Sequence, residues 1–149
     1  MKEFNYIDEY NTNEKALALF RNINCLGEYN NVFVSFIDMQ VISEGPRPDG
    51  YLINQTEKGL GMYFLHDTGH AWTSQNINRL KIDKEQHIFI SNEDIKKVFI
   101  KNYNFINKKV KKVCIELNGG YKFNLMIRLV EKDIPYHEEN FAKFINNYK

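Results

Sequence analysis

Residues 111–128, KKVCIELNGGYKFNLMIR, carry the clearest structural pattern in the chain. Apolar residues occupy every second position on both sides of Asn118-Gly119-Gly120. This period of two is typical of strands that bury one face. Asn and Gly tolerate the positive φ angles that tight hairpin turns require. The segment therefore predicts a β-hairpin.

Further strand patterns lie on the N-terminal side of this hairpin. They are predicted at residues 32–42, 51–56 and 60–65, around Ala71 and Trp72, and at 87–90 and 96–104. Turn signals such as Glu57-Lys58-Gly59 separate them. Residues 76–86 are polar, and their pattern leaves both strand and loop open. The chain is therefore predicted to be mainly β, or α+β when its helices are counted.

One helix is predicted at each end of the chain. Residues 13–24 show an apolar stripe of helical period, and Asn13 can cap them. Residues 136–149 form the second predicted helix, which must bury one amphipathic face. The apolar residues of that face recur at i, i+3, i+4 and i+7, and they are Phe141, Phe144, Ile145 and Tyr148.

The bulk properties predict one domain over residues 1–149. No basic start with an apolar run marks a signal peptide, and no apolar run approaches the ~20 residues of a membrane span. A cytoplasmic location is expected. The net charge of +1 conceals an asymmetry, since residues 1–93 carry 8 basic and 13 acidic residues and residues 94–149 carry 12 basic and 6 acidic ones. This asymmetry predicts a basic face in the second half.

The order of hairpins followed by a single closing helix resembles the bacterial pleckstrin-homology-like family, which is related to GRAM domains. The resemblance covers residues 50–149, and its segments are GYLINQTEKGLGMYF (50–64), FISNEDIKKVFI (89–100), KKVCIELNGGYKFNLMI (111–127) and ENFAKFINNY (139–148). It implies a seven-stranded, two-sheet partial barrel with the C-terminal helix in one open end. Residues 65–86 depart from the pattern, and residues 1–45 add an N-terminal helix and strand. Many members of such a family are binding modules rather than enzymes.

His66-Asp67-Thr68-Gly69-His70 superficially resembles a helical zinc motif. The glutamate of that motif is absent, and the flanking strand pattern favours a polar turn over a helix. The alternative is a small hydrolase that uses the His66/Asp67/His70 cluster. Cys25 and Cys114 are expected to be free thiols. We therefore expect no metal, no cofactor and no catalytic residues.

A lysine-rich stretch at residues 96–112 contains no acidic residue and has aromatic residues between its lysines. Lysines opposite an apolar strand face are usually a solvated surface, and they also protect sheet edges from aggregation. The functional alternative is a surface for an anionic partner. Its candidate binding residues are Lys101, Tyr103, Phe105, Lys108, Lys109, Lys111 and Lys112.

These observations predict a non-catalytic binding module with a protein partner. The alternative partner is an anionic membrane, bound through lipid headgroups at the lysine-rich hairpin. The phosphoinositide motif of the resembling family is not matched, since residues 56–60 offer only Lys58. Nucleic acid is not expected, because the overall charge is near neutral and arginine is scarce.

Overall fold

A computed structural model of the chain describes residues 6–38, 48–69, 76–103, 106 and 108–148. Within these residues the strands are β1 (Asn31–Ile37), β2 (Gly50–Thr56), β3 (Gly59–Asp67), β4 (Leu80–Ser91), β5 (Ile95–Asn102), β6 (Val110–Leu117) and β7 (Lys122–Arg128). The α-helices are α1 (Asn13–Asn22) and α2 (His137–Asn147). Short 3-10 turns lie at Tyr6–Glu9, Ile77–Arg79 and Asn92–Asp94. The prediction of a mainly β chain is confirmed.

The strands form one antiparallel sheet in the order β4-β3-β2-β1-β7-β6-β5. The expectation of a two-sheet partial barrel is wrong as to the number of sheets. β1 pairs with both β2 and β7 and so joins the first half of the sheet, β1 to β4, to the second half, β5 to β7. Its pairing with β7 is short and consists of Phe36 opposite Met126 and Ile37 opposite Leu125. Within the described residues no ladder joins β4 to β5, so the sheet is not closed into a barrel.

Several predicted boundaries differ from those of the structure. The strand predicted at 87–90 is the end of the longer β4, whose polar first part the sequence pattern left ambiguous. β4 is an edge strand with a register shift opposite Tyr63/Phe64, so its residues do not alternate in burial. The first helix is capped by Thr12 rather than Asn13, because Thr12 Oγ1 accepts the Lys15 backbone N–H at 3.2 Å. The strand predicted around Ala71 and Trp72 lies outside the described residues.

The first half of the sheet is covered on both of its faces. One face packs against α1 and the chain before it through Val34, Leu52 and Leu65, which contact Phe20 and Tyr10 in one apolar cluster. All seven positions of β1 and of β2 are buried. A strand covered on two sides needs no polar alternation, which explains the continuous run of apolar residues in β1.

The second face of the sheet encloses the main core. The halves of the sheet bend toward each other, so that the rings of Tyr51 on β2 and Phe123 on β7 meet with centroids 5.8 Å apart. Helix α2 fills the space between them with Phe141 and Phe144, and both rings contact Phe33. Both are fully buried, which confirms that the predicted apolar face of the C-terminal helix belongs to the core.

His137, the first residue of α2, lies where the pairing between β1 and β7 ends. The β1–β7 register, continued by two residues, would place Val34 opposite Arg128. The imidazole ring stands between them, since Nδ1 accepts the Val34 N–H at 3.1 Å and Nε2 lies 2.6 Å from the Arg128 carbonyl oxygen. Because Nδ1 is an acceptor, Nε2 carries the proton and donates it. A neutral histidine side chain thus replaces one link of the β ladder.

Candidate binding face

The side chains of β5, β6 and β7 that point away from the main core form one surface, which we call the basic face. In register, Phe99, Cys114 and Asn124 form one row across the three strands. Lysines occupy the neighbouring rows. The residues of the basic face are Lys97, Phe99, Lys101, Lys112, Cys114, Glu116, Lys122 and Asn124.

The basic face is the continuation of the sheet surface that α1 covers in the other half. Phe36 on β1 belongs to the cluster beneath α1, and its partner Met126 on β7 packs against the same cluster. Beyond Met126 no helix among the described residues lies on the sheet. The exposure of Phe99, at 44%, follows from this lack of cover.

A concavity of about 340 Å³ lies on this face and runs from β5 to β7. Its lining includes Phe99, Cys114, Lys101 and Lys122. The Lys97 ammonium lies 4.6 Å from the centre of the Phe99 ring, a distance at which a cation is attracted to the ring. Asp38, which is buried, pairs with Lys112 at 3.5 Å at one end of the concavity.

Part of the positive charge of the face has no ion-pair partner among the described residues. Lys112 is held by Asp38 and by the ring of Tyr103, whose centre lies 5.3 Å from its ammonium. Among the described residues no carboxylate oxygen lies within 4.0 Å of the ammonium of Lys101 or Lys122. Desolvation raises the pKa of the Cys114 thiol, and the nearby charges of Lys122 and Lys101 oppose that rise.

The structure brings together only part of the lysine cluster that the sequence indicated. Lys101 and Lys112 are directly opposite each other on the basic face, next to Tyr103. Lys111 points to the other side of the sheet, where its ammonium donates to the Asn102 side-chain oxygen. Lys108 and Lys109 lie exposed in the turn before β6, and Phe105 lies outside the described residues.

Six residues of the face were not among the sequence candidates, namely Lys97, Phe99, Cys114, Glu116, Lys122 and Asn124. The alternation within β5 was sufficient to place Lys97 and Phe99 on the same side as Lys101. Lys122 could be added only from the register between β6 and β7, in which it lies opposite Glu116.

The described part of the histidine cluster, residues 66–69, is held by hydrogen bonds and ion pairs with neighbouring residues. The Asp67 carboxylate binds the Arg79 guanidinium through two hydrogen bonds of 3.0 and 3.2 Å and accepts the Gly69 N–H at 2.7 Å. His66 Nε2 lies 3.5 Å from an Asp83 carboxylate oxygen. His70 is outside the described residues. Over the ranges that the structure covers, no three His, Cys, Asp or Glu side chains gather where they could hold a metal ion.

Comparison with protein-family models, with curated proteins and with solved structures finds no match for this chain. In the described residues neither helix has the length and apolar character needed to cross a bilayer. The chemistry of the basic face is therefore the basis for a functional proposal.

Proposed function

We propose that this chain is a non-catalytic binding module that recognises an acidic segment of another protein through its basic face. The proposal rests on the asymmetry of the sheet. One half is covered on both faces, whereas no described helix covers the corresponding, lysine-rich surface of the other half. Bare sheet faces with an exposed aromatic residue are common contact surfaces. Carboxylates of a partner would neutralise Lys101 and Lys122.

The shape of the face favours a polypeptide over a membrane. The concavity is lined by residues of three strands, so its ligand must enter it, whereas a bilayer meets protruding loops. The carboxylates of Asp38 and Glu116 border the same surface and would be repelled by anionic headgroups. A peptide can place its acidic residues between these carboxylates. An anionic membrane is therefore the second candidate and is an outcome of the test below.

The pleckstrin-homology-like resemblance belongs to the same proposal. It is supported by the seven antiparallel strands and by the C-terminal helix packed on the sheet. Fold likeness alone does not determine a ligand, so the proposal relies on the face itself. A cytoplasmic location is also part of this proposal.

The test is a binding titration with a short capped peptide in which glutamate and valine alternate, called here the Glu-Val peptide. We expect the wild-type protein to bind it, with an affinity that falls as salt is added, because exposed charges are screened over about 8 Å at 0.15 M ionic strength. The double variant Lys101→Glu/Lys122→Glu should lose about tenfold or more in affinity and keep its thermal stability. Fluorescence anisotropy of the labelled peptide measures both effects.

A charge-matched control is Lys15→Glu/Lys143→Glu, which alters α1 and α2 by the same total charge away from the face. It should bind like wild type. Equal losses in both double variants would mean that only net charge matters and would contradict a defined site. Binding to phosphatidylserine vesicles but not to the Glu-Val peptide would establish the membrane alternative, and binding of neither would overturn the proposed function.

A further inference from the structure

Strand β5 is the last strand at one edge of the sheet that the described residues form, and it borders the basic face. The Tyr103 N–H binds the Val110 carbonyl of β6 at 2.9 Å, and the register stays constant from Lys97 to Asn102. In an antiparallel ladder, alternate residues pair with the same neighbour. The backbone groups of Val98, Ile100 and Asn102 therefore point away from β6, where no strand of the described residues pairs with them.

Concave surfaces lie on both sides of this edge strand. The one on the basic face contains Phe99 and Lys101. The other, of about 320 Å³, lies on the opposite side of β5. Ile95, Val98 and Tyr148 form its apolar part, and polar residues such as Gln55, Asn92 and Asn147 line the rest. An added strand would direct its side chains alternately to the two sides. One set of side chains would therefore lie at the recess on the basic face, and the other set at the recess on the opposite side of β5.

The other edge of the sheet differs from β5 in a way that discourages pairing. β4 has a register shift in which Phe64 is opposite Asp83 and Tyr63 is opposite His87, so three residues of β4 bulge out. Bulges of this kind twist an edge away from incoming strands. β5 has a register shift only at its beginning, between Ile95 and Lys97. It is protected instead by its lysines, because a neutral strand would have to desolvate their charges and a basic strand would be repelled by them.

We infer that the acidic segment binds in an extended conformation as an additional strand on β5, an inference that rests on the proposed function. Its backbone would pair with Val98, Ile100 and Asn102. Its acidic side chains would lie next to Lys97 and Lys101. The alternate, apolar side chains would contact Val98 and Tyr148 in the recess on the opposite side of β5. Main-chain pairing supplies affinity in such complexes, and the lysines select an acidic partner.

The test is amide hydrogen exchange of the ¹⁵N-labelled protein, measured by NMR with and without a saturating amount of the Glu-Val peptide. The amides of Val98, Ile100 and Asn102 should exchange about tenfold or more slowly in the complex, since they gain hydrogen bonds. The amides of Phe99 and Lys101 already bind β6 and serve as an internal control, with little change expected.

A second arm uses a peptide of the same charge in which glycine replaces valine. Its affinity should be lower by about tenfold or more, because glycine has low strand propensity and has no side chain to enter the recess next to Val98 and Tyr148. If the Glu-Val peptide binds and depends on Lys101 and Lys122, but no β5 edge amide becomes protected, strand addition is wrong and the proposed function survives. If the peptide does not bind, both are wrong.

Discussion

Phe144→Ala is expected to lower the free energy of unfolding by about 3–5 kcal/mol, the usual cost of deleting a buried aromatic side chain. The Phe144 ring is fully buried, and its centroid lies 4.8 Å from that of Phe33 and 5.0 Å from that of Tyr148. Its ring packs α2 against the central strand β1. A smaller side chain would leave a cavity between the two halves of the sheet. Urea denaturation followed by circular dichroism measures the change.

A matched control is Phe89→Ala on edge strand β4, where the ring is 49% exposed. Its loss should be below about 1 kcal/mol, as for other exposed strand positions. Similar losses for the two variants would show that α2 does not contribute to the core as described. A wild-type-like midpoint for Phe144→Ala would have the same meaning.

The protein is expected to lose about 2–3 kcal/mol of stability between pH 7 and pH 4 through His137 alone. Burial lowers the pKa of His137 to about 4, against an unfolded value of about 6.5. The unfolded chain therefore binds a proton that the folded chain excludes, and stability decreases as the pH falls through this window. The main cause is the loss of solvation around the charged ring. In addition, protonation of Nδ1 would remove the acceptor of the Val34 N–H.

His137→Gln isolates this contribution. The variant should be less stable than wild type at pH 7, with a flatter dependence on pH down to pH 4. Burial also raises the pKa of Glu131, but that carboxyl group is present in both proteins and largely cancels in their difference. The ring of His137 in the wild-type protein should titrate near pH 4 by NMR. A midpoint near 6.5, or parallel pH profiles for the two proteins, would contradict the bridging role.

The local pattern of apolar residues in the sequence was sufficient to predict those helices and strands that bury only one face. The β6–β7 hairpin could be read from period two and from Asn118-Gly119-Gly120, and the apolar face of α2 from the spacing of Phe141 and Phe144. The central position of β1 could not be predicted. Its run of apolar residues indicates burial on two sides, but the two neighbours that produce that burial come from distant parts of the chain.

Prediction of the candidate site from the sequence has the same limit. The period of two already separates Lys111 from Lys112, and the structure confirms that they face opposite sides. The sequence indicated a cluster of lysines but could not show that α1 leaves their sheet face uncovered. It also gave no sign of His137, because a histidine in an ordinary helical sequence carries no signal that its ring replaces a ladder hydrogen bond.

Chemical-shift mapping with the ¹⁵N-labelled protein shows whether a ligand binds at the basic face. During titration with the Glu-Val peptide, the largest amide shifts should fall on β5 and on its neighbours across the face, including Lys97, Phe99, Cys114 and Lys122. Shifts centred on α1, on β4 or on the turn at Asp67, with the amides of β5 to β7 unmoved, would contradict the account.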